Sequence, residues 1–424
     1  MRIYIEPELK KWNELCRRPD NGDKEIESSV RQIVKRVKTC GDKAIRAITE
    51  EITGTALKDI LVSREEMEAA AGKVPSDLKK AIDTARTNIE IFNSAQLTGR
   101  IEVQTMPGVR CWQRSIPISK VGLYIPGGTA PLFSSVLMLA IPAKIAGCGQ
   151  VIMCTPRGAD GSISPAILYA ASICGINSIY GIGGAQAIAA MAYGTRTVPK
   201  MDKIYGPGNR YVSKAKKVVS EDGVAVDMLA GPSEMLVMAD TSARPDFVAA
   251  DLLSQAEHGK DSQVCLVCDD KGFVDEVEKN IAAQLESIPR REIAEAALAE
   301  SLAVVFQNHN RMMDFANRYA PEHLVINTGD SWAMAGAVTA AGSVYIGQYS
   351  PESAGDYASG TNQTLPTSGT AATSGGVSID SFMHKITYQE LTRKGLESLS
   401  STIIDMARAE GLMAHAHSVE IRIK

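Results

Sequence analysis

Aromatic side chains make up only 5% of this 424-residue chain, histidine occurs six times, and the formal net charge is −4. Without surplus positive charge the chain has no general attraction for nucleic acid or for an anionic membrane surface, and a small molecule is the expected partner. Long apolar runs are missing too. The longest, "SSVLMLAIPAKIAGC", is broken by Pro142 and Lys144, short of the roughly 20 apolar residues a spanning helix needs. The opening "MRIYIEPELKKWNELC" has neither the basic start nor the apolar core of an export signal, so a cytoplasmic protein without membrane attachment is expected. Nor do the eight cysteines read as a disulfide framework: they are scattered, and several, such as Cys154 and Cys174, sit inside apolar segments. The one C-x-x-C, "CLVC" at Cys265 and Cys268, falls in a strand-like run that would point its thiols to opposite faces.

What is present is an alternation. Residues 24–100 are mostly helical by pattern, with Val30, Ile33, Val34 and Val37 at helical spacing and Ser63 with Glu66 as a capping box. From about 120 onward, short apolar runs ("VGLYIP", "VIMCT", "NSIYGIGG", "EMLVMAD", "QVCLVCDD", "LAVVF", "GSVYIG") alternate with helical stretches, which predicts a doubly wound α/β fold. The last 45 or so residues, from "SIDSFMHKITYQEL" to "IRIK", return to helix with no strand to cover and read as a separate arm.

Three glycine-rich turns, "YIPGGTAP", "GIGGAQAIAA" and "YGPGNRYV", fall within one segment and favour a nucleotide-sized ligand. None is G-x-G-x-x-G, and no acidic residue follows about 20 positions later, so the usual dinucleotide fingerprint is absent.

With so few histidines, each can be weighed. His309 and His384 lie in polar surroundings and read as surface or packing residues. In "LSQAEHG", Gln255 and His258 would share one face of a helix, about 5–6 Å apart at Cβ. "APEHL" sets Glu322 beside His323 at a strand entry, where adjacent side chains diverge and can serve two different proton-handling roles. Asp356 lies in the Gly/Ser-rich loop "SAGDYASGTN", and "EGLMAHAHS" holds Glu410 and His415. Imidazole, carboxylate and amide oxygen together suit a divalent ion of the Zn2+ type, with glutamine an unusual ligand; taken singly, each residue is equally a solvated helix end or loop.

The motifs "VGLYIPGGTAPLFSSVLM", "GGAQAIAA", "YGPGNRYV", "VDMLAGPSEMLVMAD", "LLSQAEHG", "APEHL", "GDYASGTN" and "EGLMAHA" run in the order found in histidinol dehydrogenases, which the chain resembles over nearly its whole length. The resemblance implies two Rossmann-like α/β domains without a G-x-G-x-x-G turn. In that division residues 1–19 are an N-terminal arm, 20–122 with 234–376 a catalytic, metal-binding domain, 123–233 a dinucleotide-binding domain, and 377–424 a helical arm crossing to the partner of a homodimer. It further implies Zn2+ held by Gln255, His258, Asp356 and, from the other subunit, His415. Ser233, Glu410 and His323 would join those ligands in contacting L-histidinol, and Tyr124, Gln186 and Asn209 would hold NAD. His323 and Glu322 become the acid–base pair of a two-step oxidation to L-histidine. One position departs from the family pattern: where "GTNH" is expected this chain has "GTNQ", with Gln363 in place of a substrate-contacting histidine. Two other readings stay open, a related zinc- and NAD-dependent dehydrogenase of another small polar alcohol such as a sulfonated diol, and an inactive dinucleotide-binding structural or regulatory protein.

Overall fold

The computed structural model describes residues 1–18, 23–54, 56–127, 131–228 and 231–424. Two parallel sheets organise it. The first has five strands in the order Ile179–Tyr180, Gln150–Cys154, Lys120–Tyr124, Lys203–Tyr205, Ala225–Val226. The second has six, in the order Arg2–Ile5, Leu302–Val305, Gln263–Cys268, Glu234–Ala239, His323–Asn327, Ser343–Ile346. Numbered along the chain, the five-stranded sheet reads 3-2-1-4-5. Without its N-terminal edge strand, the six-stranded sheet reads 3-2-1-4-5 as well, so the Rossmann-like unit occurs twice.

Both faces of each sheet are covered, which is why "EMLVMA" and "QVCLVC" are buried at every position rather than at alternate ones. Cys265 packs in the core on one face of the six-stranded sheet and Cys268 in the core on the other.

The packing corrects the expected domain division. The helix Asp23–Thr53 lies on the helices Gly184–Tyr193 and Arg210–Glu221, and Ser76–Ser94 lies on Phe133–Ala146. Val30, Ile45, Ile48, Ile82 and Ile89 are fully buried there, each worth about 1.5–3 kcal/mol. Residues 23–94 therefore pack with the five-stranded unit and not with 234–376. The start of the chain is no free arm either. Arg2–Ile5 pairs in parallel with Leu302–Val305, while Trp12 packs edge-on against Phe306 and Phe315. The boundary placed at 19/20 falls outside the described residues.

A third element was unforeseen. "MHKITYQEL", Met383–Leu391, is a nine-residue strand, antiparallel to Val109–Pro117, which pairs in turn with Ile101–Met106. Beyond it, Arg393–Ala409 and Met413–Ile423 pack chiefly on each other. Among the described residues no helix is long and apolar enough to cross a membrane.

Candidate active site

A cleft of about 1670 Å³ runs between the two units, where the carboxyl ends of the five-stranded sheet face the amino ends of the six-stranded one. Tyr124, Gln186 and Asn209 line one wall; Ser233, Glu257 and His258 line the other. Tyr124 ends its strand and its hydroxyl accepts the Gly184 N–H at 3.1 Å. Gln186 stands in the first turn of Gly184–Tyr193 with a buried Oε1 that has no partner. Asn209 caps the next helix by accepting the N–H groups of Tyr211 and Val212, so its amide nitrogen is the part left for a ligand. The helix Arg210–Glu221 opens at the point where the strand order reverses, the place where such folds bind phosphates, while Gly184–Tyr193 opens beyond the edge strand Ile179–Tyr180. Gly206 has φ +127°, and a Cβ there would come within 2.0 Å of the Tyr124 carbonyl oxygen, so only glycine admits this turn. Residues 128–130 of "YIPGGTAP" and residues 229–230 lie outside the described residues.

Behind the other wall, Glu322 and His323 are buried next to one another at the amino end of the strand His323–Asn327. The Glu322 carboxylate accepts the Glu234 N–H at 2.9 Å, and its other oxygen lies 3.8 Å from His323 Nε2. Glu234 in turn receives a bidentate Arg18 guanidinium at 2.6 and 2.8 Å and the Ser368 N–H at 3.1 Å. Burial, with Glu234, Asp356 and Glu352 nearby, drives the Glu322 carboxyl well above the usual carboxylate range. Burial and then the charge of His258 depress His323 to about 3, which keeps the imidazole neutral. Its Nδ1 is 3.0 Å from the Tyr345 hydroxyl, leaving Nε2 turned to the site.

The candidate metal ligands are partly assembled. Gln255 is buried near the end of the helix Pro245–Ala256 with neither amide atom partnered, and Asp356 has an orphaned, buried Oδ1. Such groups are costly to desolvate unpaired, and a cation would satisfy them. His258 does not share a regular helical face with Gln255: the helix ends at Ala256, and the His258 N–H closes a tighter turn onto the Gln255 carbonyl at 3.2 Å. His258 itself is exposed. Its Nδ1 donates to the Ser254 carbonyl at 3.0 Å, which leaves Nε2 free as a ligand atom. Asp356 lies in the short helix Glu352–Tyr357 and not in a loop, so Glu352 and Asp356 meet one turn apart. Burial and then Asp356 raise the Glu352 carboxyl, and burial raises that of Asp356. Among the described residues, the ionisable cluster that could surround a cation is His323, Glu352 and Asp356, with ligand atoms within 4.8 Å of one another. His415 is not part of it. Together with Glu410, it is exposed on the terminal helix pair, beside the exposed Met406, Leu412 and Met413.

Gln363 is not open to the cleft as a substrate contact would be. In the amide orientation that satisfies both atoms, its nitrogen donates to the Asp356 carbonyl at 2.7 Å and its oxygen accepts from the Ser135 hydroxyl and N–H at 2.7 and 3.2 Å. Sequence reasoning missed Glu352 and Tyr345. The first had a signal, an i, i+4 carboxylate pair behind Pro351 at a helix start; the second had none, because strand register cannot be read from "GSVYIG".

Acid–base groups sealed from water behind one wall of the cleft and helix N-termini on the other define a two-domain α/β enzyme acting on a small polar substrate beside a nucleotide. The chain belongs to the histidinol dehydrogenase family, whose sequence model matches residues 16–423. It is 50% identical to a histidinol dehydrogenase of Bacteroides fragilis, covering 100% of this chain and 99% of that protein. To one from Escherichia coli it is 48% identical, covering 96% and 94%. The crystal structure of histidinol dehydrogenase from Elizabethkingia anophelis superposes with a TM-score of 0.97 at 47% identity, covering 100% of this chain and 98% of that one.

Proposed function

We propose that this protein oxidises L-histidinol to L-histidine in two NAD-linked steps through a retained aldehyde, as a cytoplasmic homodimer with shared active sites. The observation that carries the reading is the buried Glu322/His323 pair, set behind the cleft-lining Ser233 and His258, in a chain that belongs to this family over nearly its whole length. In the first step His323 Nε2 takes the hydroxyl proton as hydride leaves the carbinol carbon. In the second, Glu322 takes a proton from the water that adds to the aldehyde, and loss of a second hydride leaves the carboxylate. Burial keeps the imidazole neutral, with a lone pair to accept a proton, and raises the proton affinity of the Glu322 carboxyl. NAD bound along Tyr124, Gln186 and Asn209 would supply the hydride acceptor.

The orphaned amide of Gln255 and carboxylate oxygen of Asp356, with Nε2 of His258, fit a zinc-type cation, and His415 of a second copy would complete the set. Such a cation would supply a Lewis-acidic anchor for the amine and imidazole nitrogens of the substrate. Ser233 and Glu410 are assigned to further substrate contacts.

A sulfonated-diol dehydrogenase would use the same pair on another alcohol. A binding module without activity would have no use for buried carboxyls that weaken its fold. The deciding measurement is turnover of L-histidinol with NADH counted against substrate. Two equivalents per histidinol are expected; turnover of a sulfonated diol without histidinol oxidation would overturn the substrate, and no turnover of either would overturn the enzyme reading.

A further inference from the structure

Which nitrogen of His323 carries its proton decides whether the residue can act as a base. A neutral imidazole has one N–H and one lone pair, and the partner of one nitrogen sets the state of the other. Here Nε2 faces the site, 3.8 Å from both Glu322 and Glu352, while Nδ1 lies 3.0 Å from the hydroxyl of the buried Tyr345. The place of the ring is built in. A Cβ on Gly355 would come within 2.6 Å of the ring and 2.8 Å of the hydroxyl, so glycine at 355 makes room for a tyrosine against His323.

We propose that Tyr345 is a positioning residue that accepts the Nδ1–H of His323 and so fixes the tautomer in which Nε2 carries the lone pair toward the substrate hydroxyl. This rests on His323 acting as the base, and it assigns the selection of that base to a side chain that touches neither substrate nor cofactor.

The test reads the tautomer directly. Zinc-loaded protein labelled with 15N-histidine is examined by long-range 15N–1H correlation, with the His323 signal identified by its loss in His323→Asn. The wild type should show Nδ1 protonated. Tyr345→Phe keeps the ring and removes the acceptor; it should shift the signal toward the Nε2–H form and lower kcat about three- to tenfold, the range of one neutral hydrogen bond. KM for histidinol and zinc retention against a chelator should not change, whereas general damage to the site would move all three. An Nε2-protonated His323 in the wild type would overturn the proposal, and so would a Tyr345→Phe protein with unaltered tautomer and kcat. Should Tyr345→Phe not fold, the wild-type spectrum decides alone. Absence of histidinol turnover in the wild type would instead overturn the substrate reading and leave the tautomer assignment standing.

Discussion

Arg18→Met probes the support beneath the acid–base pair, and its cost follows from the contacts. The guanidinium gives two bonds to Glu234, donates to the carbonyls of Cys16 and Tyr319, and stacks 3.7 Å over the Tyr319 ring. Glu234 is 1% exposed, so without Arg18 its carboxylate stays buried with the Ser368 N–H as its remaining donor. Removing one partner of a buried pair costs about 3–5 kcal/mol, against about 0–1 kcal/mol for a surface pair, so the two cases are separable. The assay is urea unfolding of wild type, Arg18→Met, Glu234→Gln and the double variant at one protein concentration, with m-values compared. Arg18→Met should lose about 3 kcal/mol or more, and Glu234→Gln in that background should recover part of the loss, because the uncompensated charge is then gone. Activity should fall with stability, since the Glu234 N–H holds the Glu322 carboxylate. A loss under about 1 kcal/mol, or simple additivity, would refute the argument that this ion pair is a desolvated support.

Chelation should abolish turnover and Zn2+ restore it, and His258→Asn should weaken both zinc retention and histidinol binding; full activity of metal-free protein would count against the ligand set. Glu322→Gln should slow oxidation of supplied aldehyde by about 10²–10⁴-fold while sparing the alcohol step, whereas His323→Asn should harm both, and equal losses for Glu322→Gln would refute the division of labour. Gln363→Leu should ease zinc removal by a chelator more than it raises KM for histidinol, because both atoms of the amide are spent on Asp356 and Ser135; the reverse pattern would make it a substrate contact. Co-refolding inactive His258→Asn with inactive His415→Asn should restore about a quarter of wild-type sites, since about half the dimers are mixed and each mixed dimer has one intact site of two; no recovery in confirmed mixed dimers would place each site within one chain.

The α/β class was legible because parallel strands covered on both faces must be apolar throughout, and "EMLVMA" and "QVCLVC" are. Glu322 and His323 were legible as neighbours at a strand entry, where they stand, but the side chains expected to diverge converge, with Glu322 Oε1 3.8 Å from His323 Nε2. The partner of the helix Asp23–Thr53 was not legible. Its spacing of valines and isoleucines says that one face must be covered, but either sheet offers the same aliphatic surface. "MHKITYQEL" misled for another reason. It lies on a sheet exposed over much of both faces, so the inside–outside alternation that marks a strand is weak there. The duplicated 3-2-1-4-5 order left no trace in sequence, because topology constrains only which positions are buried and many side chains meet that demand equally.

Two copies of one topology have been put to different uses, and the reason is visible at their carboxyl edges. In the five-stranded sheet the reversal point between Lys120–Tyr124 and Lys203–Tyr205 stays open, with Gly206 keeping the backbone low and two helix N-termini facing the cleft. In the six-stranded sheet the equivalent point lies between Glu234–Ala239 and His323–Asn327. There Asp240 fills the crevice, its carboxylate accepting the Gly329 N–H at 2.8 Å and the Ser242 N–H at 2.9 Å. Backbone donors that could have met a phosphate are already satisfied by a carboxylate of the chain itself. The second unit is thereby left with its amino edge as the working surface, and that edge is where the helix Pro245–Ala256 ends with Gln255 and where Glu322 and His323 enter their strand. Placing a carboxyl edge of one unit against an amino edge of the other brings nucleotide and acid–base groups together without either sheet having to hold both.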